Sequence, residues 1–202
     1  METLKENDNF RVRLVNDESG EKPYDEGAVP ILSREFRDYR GRFEAVNEQA
    51  EDLEEVITDA YNRLNRDSDV LARYLRIFYG AYSVMEDSSD NCAYLAFDTA
   101  AWRTEHELTD EYLDAHTDVL DRKTLAQGSL NEVMAWANGE VYGYIVEKKF
   151  QTFTRYIDPV TGFEVRDEDG EEWIESDSCW GFYGYDVAKE AAEEAFESAT
   201  TD

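Results

Sequence analysis

The chain has 202 residues, 42% hydrophobic and 13% aromatic, enough apolar material for a packed core and too much for an acidic disordered tail. Its 48 Asp and Glu stand against 20 Lys and Arg, and a formal net charge of −28 excludes a surface that attracts phosphate. No run of about 18 apolar residues occurs, and residues 1–10 carry charges where a signal peptide needs an apolar stretch, so a cytoplasmic protein with no membrane contact is expected.

Residues 1–8 are expected to be flexible. The first strand follows, with Phe10, Val12 and Leu14 alternating with Arg11 and Arg13. A turn-rich stretch holds Gly20, Pro23, Gly27 and Pro30, with a short apolar piece at residues 29–32. The spacing Phe43, Val46, Ala50, Leu53, Ile57, Ala60, Leu64 predicts a helix with one apolar seam, which suits an internal core and a homodimer equally. A second helix starts near Asp67 or Asp69, carries Val70, Tyr74, Ile77 and Phe78 on one face and ends at Gly80. Residues 81–85 and 92–97 read as a hairpin. Residues 99–119 read as helix in two pieces, the second led by Thr109, Asp110 and Glu111. A short helix runs from Ser129 through Trp136 to Asn138 and Gly139.

Residues 141–157 alternate and are rich in β-branched and aromatic types, which predicts a long strand. Asp158, Pro159, Val160, Thr161 and Gly162 form a turn, followed by one strand from Phe163 and another around Trp173. The tail from Tyr185 is helical, with Val187, Ala191, Ala195 and Ala199 at a spacing of four; residues 200–202 are expected to be flexible. The expected fold class is therefore α+β, a single domain with an antiparallel sheet and helices packed on one face.

Catalytic chemistry finds little to stand on. Cys92 and Cys179 lie far apart with no CxxC pair and read as buried small hydrophobes. His106-Glu107 begins like a zinc-protease helix, but Asp110 stands where the second histidine is needed, and His116 is not within a turn of His106. Aligning Gly170 with the glycine of a calcium loop puts Val165 and Ser176 at ligand positions. No phosphate-cradling glycine motif occurs. The aromatic run from Trp180 to Tyr185 superficially resembles a base-stacking strand, but the segment before it is acidic, so its rings are expected to pack in core and turn. No catalytic residue, metal or cofactor is expected, nor direct binding of nucleic acid.

The acidic residues fall in blocks. Residues 44–59 and 105–121 each hold seven acids and no Lys or Arg, residues 161–177 hold eight against Arg166, and residues 186–202 hold six against Lys189. Ordinary solvated helices mix signs more evenly. A domain of this length has a diameter of about 43 Å, while 28 DNA charges occupy about 48 Å of duplex, so the charge density matches that of DNA. On the helix expected from Phe43, residues Glu44, Glu48, Asp52 and Glu55 would form one row rising about 6 Å per four residues. The candidate partner-binding surface is this row with Asp59; Glu107, Asp110, Glu111, Asp114 and Asp118; Asp167, Glu168, Asp169, Glu171 and Glu172; and Glu190, Glu193, Glu194 and Glu197.

At Tyr74-Leu75-Arg76-Ile77-Phe78-Tyr79-Gly80, Phe97-Asp98-Thr99-Ala100-Ala101-Trp102-Arg103 and Ser178-Cys179-Trp180-Gly181-Phe182-Tyr183-Gly184 the chain resembles small acidic proteins of phages and conjugative plasmids of GC-rich Gram-positive bacteria. The likeness spans residues 10–196 and implies no catalytic residues. In charge and size the chain also resembles phage and plasmid antirestriction proteins that imitate DNA, without a diagnostic motif of that kind. Together these imply an inhibitor whose partner is a basic DNA-binding host protein or defence complex, such as a restriction enzyme or a CRISPR effector. Two alternatives stand beside it: an acidic adaptor with an aromatic interface, and a halophile-adapted protein of unrelated function, for which six Lys against fourteen Arg speaks and 27 aromatics speak against.

Overall fold

A computed structural model of the chain describes residues 1–23, 28–108, 122–162 and 164–201; at 122–124 and 165–167 it describes the backbone alone. The class is α+β with antiparallel sheets. The strands form two sheets where one was expected, and each sheet lies within one of two compact units of the chain. The first unit comprises Met1–Gly20 and Glu140–Asp202, and the second is Glu21–Gly139.

The second unit holds a four-stranded sheet in the order β4(Glu44–Ala45), β3(Ile31–Glu35), β6(Cys92–Asp98), β5(Tyr82–Asp87). Side chains alternate across a strand, and here both faces are covered. Leu32, Leu95 and Phe97 meet Ile57 and Tyr61 of α1(Glu54–Arg63) and Leu71 and Leu75 of α2(Ser68–Tyr79). Ile31, Tyr94 and Ala96 on the other face meet Trp102 of α3(Ala100–Glu105) and Ala126, Leu130 and Val133 of α4(Arg122–Ala137). Burial on two sides explains why β6 is almost uniformly apolar.

The ends of these elements obey local chemistry. The Asp67 side chain accepts from the backbone N–H groups of Asp69 and Val70 and caps α2, whose other end is Gly80 at φ 61. Only glycine takes that left-handed turn without strain. Thr99 caps α3 by accepting from the Trp102 N–H at 3.0 Å. Asp98, fully buried, accepts from the Tyr82 N–H at 2.6 Å and from Arg103 Nη1 at 2.7 Å, while Arg103 Nη2 donates to the Gly80 carbonyl at 2.9 Å. Burial pushes the Asp98 carboxyl above its ordinary range, and these donors oppose the shift. The pair thus fastens the ends of β6 and α2 to α3.

The stretch from Phe43 to Leu64 corrects the expectation of one helix. It contains β4, a 3₁₀ helix at Glu48–Leu53 and α1. Phe43 packs in the cluster with Ile57, but Val46 packs on the opposite face of the sheet with Ile31 and Trp102. The helical spacing of those two residues was a coincidence of a strand end followed by a helix. On α2 the buried residues are Leu71 and Leu75, whereas Ile77 and Phe78 of the expected face are 75% and 68% exposed.

The first unit is a sheet in the order β1(Glu2–Glu6), β2(Phe10–Asn16), β7(Val141–Ile157), β8(Glu164–Tyr183), with α5(Tyr185–Thr201) on one face. Residues 2–6, expected flexible, pair with β2. The two strands expected from Phe163 and around Trp173 are one continuous β8 from Glu164 onward; Phe163 lies outside the described residues. The alanines Ala188 and Ala192 are fully buried, Ala192 against Val12 and Val146, and their small size lets the helix lie close on the sheet. On the opposite face Glu147 is 6% exposed and accepts from Arg11 Nε at 2.6 Å and Arg13 Nη2 at 2.7 Å. Burial pushes this carboxyl up, but the two guanidinium groups prevail and hold it below the ordinary carboxylate range.

Candidate functional site

β7 outruns its neighbour. Its pairing with β2 stops at Lys148, while its pairing with β8 continues to Ile157. Residues 150–157 and their partners on β8 therefore form a two-stranded arm of about 27 Å. Asp158 closes it, accepting from the N–H groups of Val160 at 2.7 Å and Thr161 at 3.0 Å, with Gly162 at φ 70. A free two-stranded ribbon is marginally stable alone, yet this one exposes Phe150, Phe153, Tyr156, Ile157 and Val160.

Opposite these rings stand carboxylates. Directly paired residues share a face: Phe153 with Asp169 and Gln151 with Glu171 on one, Phe150 with Glu172 and Thr154 with Glu168 on the other. Lys149 Nζ lies 2.6 Å from Glu171, and Gln151 donates to Glu171 at 3.0 Å; these two donors hold that carboxyl below its ordinary range. Tyr156 donates to Glu168 at 3.2 Å.

The second acidic array is α5. Its sheet-facing side is Ala188 and Ala192, with Ala195, Phe196 and Ala199 partly buried, rather than the expected stripe through Val187, which is 56% exposed. Asp186, Glu190, Glu194 and Glu197 are exposed on the outer side. Glu193 and Glu197 are both 3.3 Å from Lys5 of β1.

The other expected site residues lie in the second unit and do not form the expected row. Glu44 is in β4, Glu48 and Asp52 in the 3₁₀ helix, and Glu55 and Asp59 in α1. A 3₁₀ helix turns 120° per residue, so Glu48 and Asp52 point about 120° apart, where an α-helix would nearly align them. Asp59 pairs with Arg63 at 3.2 Å. Glu107 is exposed at φ 57 just after α3. Asp110, Glu111, Asp114 and Asp118, the helix expected there and His116 lie outside the described residues, and for Asp167 only the backbone is described.

The two units carry equal charge: 22 acids against 8 bases give −14 in the first, and 26 against 12 give −14 in the second. The first does so with fewer residues. The exposed aromatic arm was missed from sequence; its signal was a strand as long as 141–157, longer than a small sheet can pair throughout.

His106 is half-buried, its ring stacked on Trp102 at 4.4 Å and its Nδ1 2.9 Å from the Trp102 carbonyl, so it packs rather than facing a ligand. Among the described residues no group of three His, Cys, Asp or Glu is placed to hold a metal ion. Cys179 is exposed and Cys92 half-buried, which corrects the expectation that both are buried; burial pushes the Cys92 thiol up. Of the expected core aromatics, Phe182 stacks on Tyr144 at 5.7 Å, but Trp180 is 46% exposed. Among the described residues no helix is long and apolar enough to cross a membrane. No family model, no curated protein and no solved structure matches the chain.

Proposed function

We propose that this protein is a non-enzymatic DNA mimic that occupies the DNA-binding groove of a basic host protein, such as a restriction enzyme or a CRISPR effector. The observation that supports this reading is the spacing of carboxylates in the first unit. Along α5, Asp186, Glu190, Glu193 or Glu194, and Glu197 recur every three or four residues, a rise of about 6 Å per four. Along β8, same-face residues such as Asp169 and Glu171 repeat at about 6.7 Å. Both pitches suit pockets that grip successive phosphates of a strand. The resemblance to phage and plasmid proteins gives a setting in which blocking host defence is useful.

Binding of this kind draws on displaced counterions and charge complementarity, so it weakens as salt rises. The test is capture from host lysate on the immobilised full chain, elution by a salt gradient, and identification by mass spectrometry. The captured protein is then titrated with the chain in competition with duplex DNA. Competition with DNA and a steep salt slope are expected, with affinity falling about tenfold or more when Glu190, Glu194 and Glu197 become Gln. A partner that binds DNA and the chain at once, with an affinity independent of salt, refutes the proposal. The exposed rings of the arm favour a second reading as an aromatic adaptor, in which those Gln substitutions leave affinity unchanged and Phe153→Ala abolishes it.

A further inference from the structure

One helix cannot cover four strands. Strand axes about 4.8 Å apart put the outer two about 14 Å from each other, and a helix with its side chains is about 10 Å wide. α5 lies over β2 and β7, with less contact to β1 and β8. Beside it a groove of about 650 Å³ remains on the β8 side, lined by residues of the first unit alone. Its floor is apolar, with Tyr144 and Phe182 stacked on each other and Val146 beneath. Its helix wall is built from small residues, Ala191, Ala195, Ser198 and Ala199.

The rims carry more acids than bases, with Lys148 of β7 also in the lining beside Phe10. On the strand side Asp177 lines the groove, and Glu172 and Glu168 continue along β8 on the same face. On the helix side stands Glu194, with Glu190 one turn before it. An apolar floor flanked on both sides by carboxylates, which outnumber the single Lys148, is complementary to one shape of partner. Its occupant needs an apolar stripe narrow enough to sit between those carboxylates, and cationic side chains on both flanks to meet them. An α-helix with Lys or Arg flanking an apolar face has that form, and the small-residue wall lets such a helix approach α5 closely. A second copy of α5 does not, because its own carboxylates would face these rims.

We infer that this groove receives a basic amphipathic α-helix of the partner protein. This rests on the DNA-mimic reading and sharpens it: DNA-binding proteins commonly present a helix to the major groove, where two phosphate rows flank a trough of about 12 Å. Here the first unit offers a related arrangement, with carboxylates of β8 and of α5 on the two sides of an apolar trough.

The test uses two fluorescent peptides of about 18 residues with identical Leu and Lys content, one with the residues ordered as an amphipathic helix and one scrambled so that no apolar face exists. Each is titrated against the full chain by anisotropy at low salt. The ordered peptide is expected to bind about tenfold more tightly than the scrambled one, and Ala191→Leu, which fills the wall of the groove, is expected to remove that preference. Ala191 is only partly buried on an outer flank of α5, and circular dichroism checks that the variant stays folded. Equal affinity for both peptides, or a preference untouched by Ala191→Leu, overturns the groove while leaving the acidic-surface reading intact. Failure of both peptides to bind at low salt overturns the groove and the acidic-surface reading together.

Discussion

Changing Glu147 to Gln isolates the ion cluster that ties β2 to β7. Gln keeps the shape and one acceptor oxygen but removes the charge that two guanidinium groups share. The carboxylate side chain is 7% exposed, and those of Arg11 and Arg13 are 22% and 21% exposed. A charge-assisted hydrogen bond contributes about 1.5–3 kcal/mol and a neutral one about 1. The variant loses one such bond and weakens the other. The arginines reach enough water to recover part of the loss, so the net cost is about 2 kcal/mol, below the 3–5 typical of breaking a fully buried pair. Urea unfolding with hydrogen exchange followed on the β2 and β7 amides measures it locally. The pH dependence provides a second reading. The folded carboxyl sits below its unfolded value of about 4.5. Its contribution is therefore fully present above that value and is lost as pH falls through the folded value. The difference between wild type and variant should be constant from neutral pH down to about 5 and shrink at lower pH. A loss under about 0.5 kcal/mol, or a difference that grows on acidification, refutes this account of the cluster.

Asp67→Ala removes both cap bonds of α2 and should cost about 1 kcal/mol in urea unfolding of the second unit, with Asp67→Ser recovering most of it. Gly143→Ala places a methyl group against the Trp180 ring and 2.9 Å from the Cys179 carbonyl. The ring must swing away, so the variant should lose about 1–3 kcal/mol and red-shift the emission of Trp180, measured in a chain whose other tryptophans are Phe.

The acidity belongs to the composition and needs no fold to be seen, but where it acts depends on which acids meet. Several elements were legible for equally local reasons. β7 has the bounds expected from its alternation, α2 runs from its Asp67 cap to Gly80, and Asp158 and Gly162 close the turn between β7 and β8. Each signal is complete within a few residues: an alternating period, a side-chain oxygen before a first turn, a glycine where φ must be positive.

What the sequence left open were choices between neighbours. Phe43 and Val46 fit a helical spacing, yet a strand between two packed layers sends them to opposite cores. Leu71 and Leu75, not Ile77 and Phe78, face inward on α2 because the sheet offers Leu95 and Phe97 on that side. The carboxylate rows moved for the same reason: the row drawn from Glu44 to Glu55 is broken across a strand, a 3₁₀ helix and an α-helix, while α5 and β8 hold theirs in one unit. Amino-acid order alone determined that this protein would be a charged α+β fold with these caps, turns and long strand, since those follow from short-range sterics and hydrogen bonding. Only the tertiary structure decided which faces are buried, that an arm outruns its sheet, and that an apolar trough lies between carboxylates of β8 and α5, because each depends on partners distant in the chain.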